Sequence, residues 1–196
     1  MALTTLDTKT ALIVIDLQRG IVALPTVHPS SDIVERSAAL LDAFRRHGLP
    51  VVLVNVAGTA PGRTDQGSHT GDFPAGFADL VPELKQQPSD HVVTKRTWGA
   101  FTNTDLAAYL REQRVTQVVL TGIATSIGVE STARCASELG LNVTLVVDAM
   151  TDRNADAHTN SITRIFPRLG ETGTTQQVLD LLERMRSSHA QPDMRT

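Results

Sequence analysis

The sequence predicts an α/β domain: a parallel sheet with helices on both faces. Two observations carry this. Short, nearly unbroken apolar runs recur along the chain without the alternation of a half-exposed strand. Segments with helical spacing separate those runs, and several of them end at Gly or Pro. Strands that alternate with helices imply βαβ crossovers and a sheet covered on each side.

In chain order, the first strand is expected over residues 11–15 (ALIVI). Residues 30–47 follow with Ile33, Val34, Ala38, Leu40, Leu41 and Phe44 at helical spacing, stopped by Gly48 and Pro50. The second strand is 51–56, and 91–94 is a shorter candidate. Tyr109 shares a helical face with Leu106 and Leu110 in 104–113. A strand at 117–120 leads into a helix at 126–139 that ends on Gly140. The last strand is 143–147, and helices at 154–166 and 174–186 complete the pattern. The polar stretch 57–75, with Gly58, Gly62, Gly67 and Gly71, is a long loop of the kind that carries function or lacks order. Residues 1–186 thus read as one domain and 187–196 as a flexible tail.

Composition narrows the function. At 196 residues with 41% hydrophobic content the chain can bury a sizeable core, which excludes disorder over its whole length. A net charge of -3 offers no global attraction to nucleic acid or acidic lipid. An aromatic content of 4% argues against a base-stacking surface. Its single cysteine, Cys135, rules out an intramolecular disulfide and a thiolate metal cluster. No apolar run is long enough to span a membrane. Asp7 and Lys9 precede the first apolar run, unlike the charge order of a signal peptide, so a cytoplasmic protein is expected.

Chemistry should lie where the strands end, at the carboxyl edge of the sheet. Asp16 closes the first strand after five apolar residues. Partial burial there would raise its pKa and suit it to general acid or base work, although a helix cap or loop tie is an equal reading. Lys95 closes HVVTK in the same way. By itself it reads as a solvated charge, but facing Asp16 it would hold that carboxylate or bind an anionic substrate. In TGIATSIGVESTAR, a strand ends at Thr121, Gly122 permits a sharp turn, and a helix begins near Ser126. Amides at such a turn can face an anion or a developing oxyanion.

An Asp at the first strand end, a Lys at a middle one and T-G-x-x-T-x-x-x-V-E-S-T-A-R on a turn and helix together resemble the isochorismatase-like hydrolase superfamily, from Ala11 to about Leu182. The resemblance implies a three-layer α/β/α sandwich around a mostly parallel sheet, a small-molecule substrate and a homo-dimer or homo-tetramer. It implies an Asp–Lys–Cys site whose first two members match Asp16 and Lys95, and a cis peptide bond between Ile123 and Ala124. Where the family's nucleophilic Cys stands, this chain has Gly128. Glycine can form no thioester. Cys135 lies seven residues further on, about 10 Å along a helix, and reads as structural. The cysteine-dependent amidohydrolases of the family are therefore not the expectation. Nor is the Asp-x-His metal motif of nicotinamidases present, so no cofactor or metal is expected. His69 and Asp72 are the nearest candidates to it, and the group Asp148, Asp152, Asp156 and His158 reads as turn and helix-start residues.

True isochorismatases resemble this chain in pairing Asp and Lys with Gly. Their vinyl-ether substrate needs protonation and water attack, but no covalent nucleophile. The resemblance thus implies a hydrolase in which Asp16 is the general acid, Lys95 orients it, and Gly128 leaves room for the enolpyruvyl group. Gln18, Arg63, Trp98 and Phe101, with Ile123 and Ala124 at the turn, are the expected substrate contacts, while Trp98 could equally be core. A silent ligand-binding member of the family, or an amidohydrolase using water or Cys135, is the alternative.

Overall fold

The computed structural model describes residues 3–65 and 73–189. Six strands form one sheet: β1 Thr10–Ile15, β2 Val51–Val56, β3 His91–Lys95, β4 Gln117–Ile123, β5 Asn142–Thr151 and β6 Glu171–Gly173. All pairings are parallel, in the order β3-β2-β1-β4-β5-β6. Among the described residues six α-helices accompany them: α1 Arg19–Val22, α2 Ser30–Arg46, α3 Leu106–Glu112, α4 Glu130–Glu138, α5 Ala155–Asn160 and α6 Thr175–His189. The expected three-layer α/β/α sandwich is the observed architecture.

The layering follows from strand geometry. Successive side chains point to opposite faces. Leu12 and Val14 of β1 therefore join Ile33, Leu40 and Phe44 of α2 and Leu182 of α6 in one core. Ala11, Ile13 and Ile15 join Leu106 and Leu110 of α3 and Ala133 and Ala136 of α4 in the other. Every residue of β1 is buried, which is why this strand reads as an apolar run rather than an alternation. Helix α2 carries Asp32 in its first turn and Arg45 and Arg46 in its last, both favourable to the helix dipole. It stops at Gly48, whose φ of 64° suits glycine.

Several boundaries differ from expectation for identifiable reasons. β5 extends four residues beyond residue 147, because its register against β4 shifts between Leu120 and Gly122. β6 has only three residues and carries no pattern of its own. The expected helix at 126–139 opens with a π-helical turn, Thr125–Val129, before α4. The one at 154–166 divides into α5, a second π-helical turn, Ser161–Ile165, and a 3₁₀ turn, Phe166–Arg168. α6 runs to His189, three residues past its expected end, and residues 190–196 of the expected tail lie outside the described residues.

The sheet order reverses at β1, which connects outward to β2 on one side and pairs with β4 on the other. A crevice at the carboxyl ends of those strands is where open α/β sheets bind ligands. Close approach there is enforced by Gly122: a Cβ at its φ of 122° would stand 2.0 Å from the Ile15 carbonyl oxygen.

Candidate active site

At this crevice lies a cavity of about 230 Å³. Asp16, the residue after β1, forms its floor. The residue sits in the left-handed region, φ 53°, with its amide donating to the Val54 carbonyl at 2.9 Å. Asp is among the few side chains that tolerate this conformation. Lys95, the last residue of β3, donates its Nζ to Asp16 Oδ2 at 2.7 Å and to the Thr97 carbonyl at 3.2 Å. Both side chains are buried, 7% exposed for Asp16 and 2% for Lys95. Asp16 Oδ1 is buried with no hydrogen-bond partner. Burial drives the Asp16 pKa up to about 6, and the charge and hydrogen bond of Lys95 only partly oppose it.

Beside the carboxyl group stands the turn after β4. The Ile123–Ala124 peptide bond is cis, as the resemblance implies. Ile123, Ala124, Ile127 and Gly128 all line the cavity. A Cβ added at Gly128 would point to Asp16, 3.3 Å from Oδ2, and would meet the Ile15 methyl at 3.0 Å. Position 128 thus faces the Asp16–Lys95 pair, and its lack of a side chain leaves that approach open. The turn is tied down from outside the cavity. Buried Asp152 accepts hydrogen bonds from the Ser126 amide at 2.7 Å and the Ser126 hydroxyl at 2.8 Å. The Thr132 hydroxyl donates to the Gly128 carbonyl at 2.7 Å.

The remaining expected contacts separate into two groups. Trp98 lines the cavity and is 66% exposed, which overturns the core alternative. Phe101 does not line it, but packs in the core beneath α3 and α4. Gln18 is fully buried below the cavity and its amide is spent on backbone. Its Oε1 accepts from the Val56 amide at 2.7 Å, and its Nε2 donates to the carbonyls of Val56 at 2.9 Å and Phe77 at 3.1 Å. It therefore straps the end of β2 to the chain returning from the long loop. Arg63 is exposed and the structure does not bring it to the cavity.

Phe73 and Arg153 are among the lining residues that escaped the sequence reading. Phe73 adds an aromatic wall, and Arg153 brings a guanidinium to the rim. Among the described residues the Arg153 side chain has no ion-pair partner. Its backbone is fixed, because Asp152 Oδ1 accepts from the amides of Arg153 at 2.7 Å and Asn154 at 3.1 Å. Arg153 lies two residues past Thr151, the end of β5, a place that only the register shift against β4 reveals.

The metal candidates have other occupations. His69 and Asp72 lie outside the described residues. Asp148 accepts from the Thr175 amide at 2.7 Å and caps α6, Asp152 holds the turns just described, and Asp156 is exposed. His158 Nδ1 is 2.8 Å from the Thr125 hydroxyl. Cys135 is half-buried on α4 against the core and does not line the cavity. Burial and the nearby Glu138 push its thiol pKa up, the opposite of an activated nucleophile.

Comparison with known proteins decides the family. The isochorismatase domain model matches residues 10–177. This chain belongs to the isochorismatase family. It is 42% identical over 179 residues to an isochorismatase family protein of Bacillus subtilis, covering 88% of this chain and 93% of that one. The structure of an isochorismatase family protein from Burkholderia thailandensis matches with a TM-score of 0.88 at 44% identity, covering 91% of this chain and 98% of that one. A maleamate amidohydrolase of Pseudomonas putida is 29% identical over 188 residues, covering 90% of this chain and 88% of the relative. The chain is accordingly a hydrolase of this family. No helix among the described residues is long and apolar enough to cross a membrane.

Proposed function

We propose that this hydrolase cleaves the enol ether of a small carboxylate, isochorismate or a close relative, by general-acid catalysis with release of pyruvate. The observation that carries the proposal is the buried Asp16 carboxyl group, with one oxygen held by Lys95 and the other unpartnered, beside a residue 128 that has no side chain. Protonated Asp16 delivers its proton to the terminal methylene carbon of the vinyl ether. The oxocarbenium ion so formed takes up water, and the hemiketal collapses to pyruvate and the alcohol. The proton released by the water returns to Asp16. No step needs a covalent nucleophile, and Lys95 keeps Oδ2 oriented throughout while stabilising the carboxylate between turnovers.

Substrate binding in this reading falls to the rim and walls. Lys95 is already committed to Asp16, so Arg153 takes a substrate carboxylate, with the geometry that lets guanidinium pair bidentately. Trp98, Phe73 and Ile127 enclose the apolar body. The test is pyruvate release from isochorismate, coupled to lactate dehydrogenase, by wild type and by Asp16→Ala. Asp16-dependent pyruvate is the expected result.

The likeness to a maleamate amidohydrolase favours a second reading, amide hydrolysis with water in place of a thiol. Here a Gly128→Cys variant would set its Cβ beside the Asp16–Lys95 pair and gain amidase activity over wild type, whereas in the enol-ether reading it loses pyruvate release. Assembly as a homo-dimer or homo-tetramer belongs to the same proposal, and sedimentation at the mass of one chain would refute it.

A further inference from the structure

His158 is a buried imidazole that the mechanism does not use. It lies on α5 and is 8% exposed. Its Nδ1 is 2.8 Å from Thr125 Oγ1, and Thr125 is fully buried. Thr125 opens the π-helical turn that carries Ile127 and Gly128, immediately after the cis-linked Ala124. On its other side the His158 ring faces His28, with centroids 5.0 Å apart. His28 in turn is held to the end of β5, its amide donating to Thr151 Oγ1 at 3.0 Å, and the neighbouring Val27 amide donates to the Asp152 carbonyl at 2.8 Å. The segment so fixed includes Thr26, a lining residue. One imidazole therefore stands between the turn that carries Gly128 and the segment that carries Thr26, both of which line the cavity.

We propose that His158 is a positioning residue. Through the Thr125 hydroxyl it fixes the π-helical turn, and so the place of Ala124, Ile127 and Gly128 against Asp16. The physical ground is that a buried hydroxyl needs a partner, and that its loss leaves Thr125 free to turn elsewhere. The neighbouring ties from Asp152 to Ser126 and from Thr132 to Gly128 hold the turn at other atoms, so removing His158 loosens the turn without unfolding it. The groups that face the imidazole are Thr125, His28 and Asp152, and burial with His28 lowers its pKa below the ordinary value. A neutral ring whose Nδ1 accepts from the Thr125 hydroxyl is the arrangement this favours.

This inference rests on the proposed reaction for its kinetic arm, and its second arm is independent of that reaction. The variants are His158→Leu, which removes the ring nitrogens, and His158→Asn, whose amide can replace Nδ1. Expected for His158→Leu is a fall in kcat for pyruvate release of about 10- to 100-fold, as for a displaced reacting geometry, with KM changed less than about threefold. Hydrogen exchange of the amides in 124–130 should quicken at least about tenfold, with β1 amides unaltered. His158→Asn should restore kcat and the exchange pattern to within about threefold of wild type. Unchanged kcat and unchanged exchange in His158→Leu would overturn the proposal. So would equal losses in both variants accompanied by faster exchange in β1, the signature of a merely structural residue. Should wild type release no pyruvate, the functional reading falls, and the exchange arm alone decides the role of His158.

Discussion

Two buried ion pairs lie at opposite ends of this sheet, and they are built differently. Near the start of β3, Arg45 of α2 grips Asp90 through two bonds, Nε to Oδ1 at 3.2 Å and Nη2 to Oδ2 at 2.6 Å. Asp90 Oδ2 also accepts the Gln87 amide at 2.8 Å, and Arg45 reaches the Leu84 carbonyl at 3.1 Å. The pair is satisfied on every side. At the carboxyl edge, Lys95 makes one bond to Asp16 and leaves Oδ1 with nothing. Burying an unpaired carboxylate oxygen is costly, and a fold tolerates it where the oxygen has a use. The first pair holds α2 to the loop before β3. The second keeps a carboxyl group with an unsatisfied oxygen in the lining of a small cavity.

That contrast has consequences that can be broken experimentally. The largest concerns the unsatisfied pair: Asp16→Ala should lower pyruvate release at least about 10³-fold while the protein stays folded, as loss of a general acid commonly does, measured by the coupled assay beside a circular dichroism melt. At the other end, Asp90→Ala should leave Arg45 with only the Asp42 carboxylate at 3.7 Å and the Leu84 carbonyl, and cost about 1–3 kcal/mol in a urea titration, with activity per folded molecule retained. A stability loss confined to Asp16→Ala, with Asp90→Ala silent, would reverse the assignment of the two pairs. Next in size, Arg153→Gln should raise KM about 10- to 100-fold with kcat nearly unchanged, as expected when a charge-assisted contact to a substrate carboxylate is lost. The smallest effect is on the pH profile of Lys95→Met. Lys95 lowers the pKa of Asp16, so its removal should move the falling limb of residual activity toward higher pH by about one unit, read from kcat/KM.

Legibility in the sequence follows how much of each element's environment is local. β1 and β2 are buried on both faces, so their composition alone marks them, and Asp16 stands out as the first carboxylate after such a run. Lys95 was less legible, because it closes a short strand with only alternate residues buried, and Gly128 stood out only through the resemblance to a family that carries a cysteine there. Arg153 was not legible, because it depends on a register shift in β5 that only the pairing with β4 reveals. Trp98 and Phe101 illustrate a second limit. The segment after β3 is a series of turns without a period, so nothing local says that Trp98 turns to the cavity and Phe101 to the core. Gln18 shows a third. Its amide meets partners 38 and 59 residues away, and a polar side chain beside a catalytic position gives no sign that backbone has already claimed it.

The central claim is that Asp16 acts as an acid without a covalent nucleophile, and the pH dependence of kcat/KM for pyruvate release tests it most directly. The acidic form of Asp16 is fully present below its pKa of about 6 and is lost as pH rises through it. A general acid therefore predicts activity that is level at low pH and falls about tenfold per pH unit above 6. Activity that instead rises through pH 6 would make the Asp16 carboxylate a base, and would contradict the account.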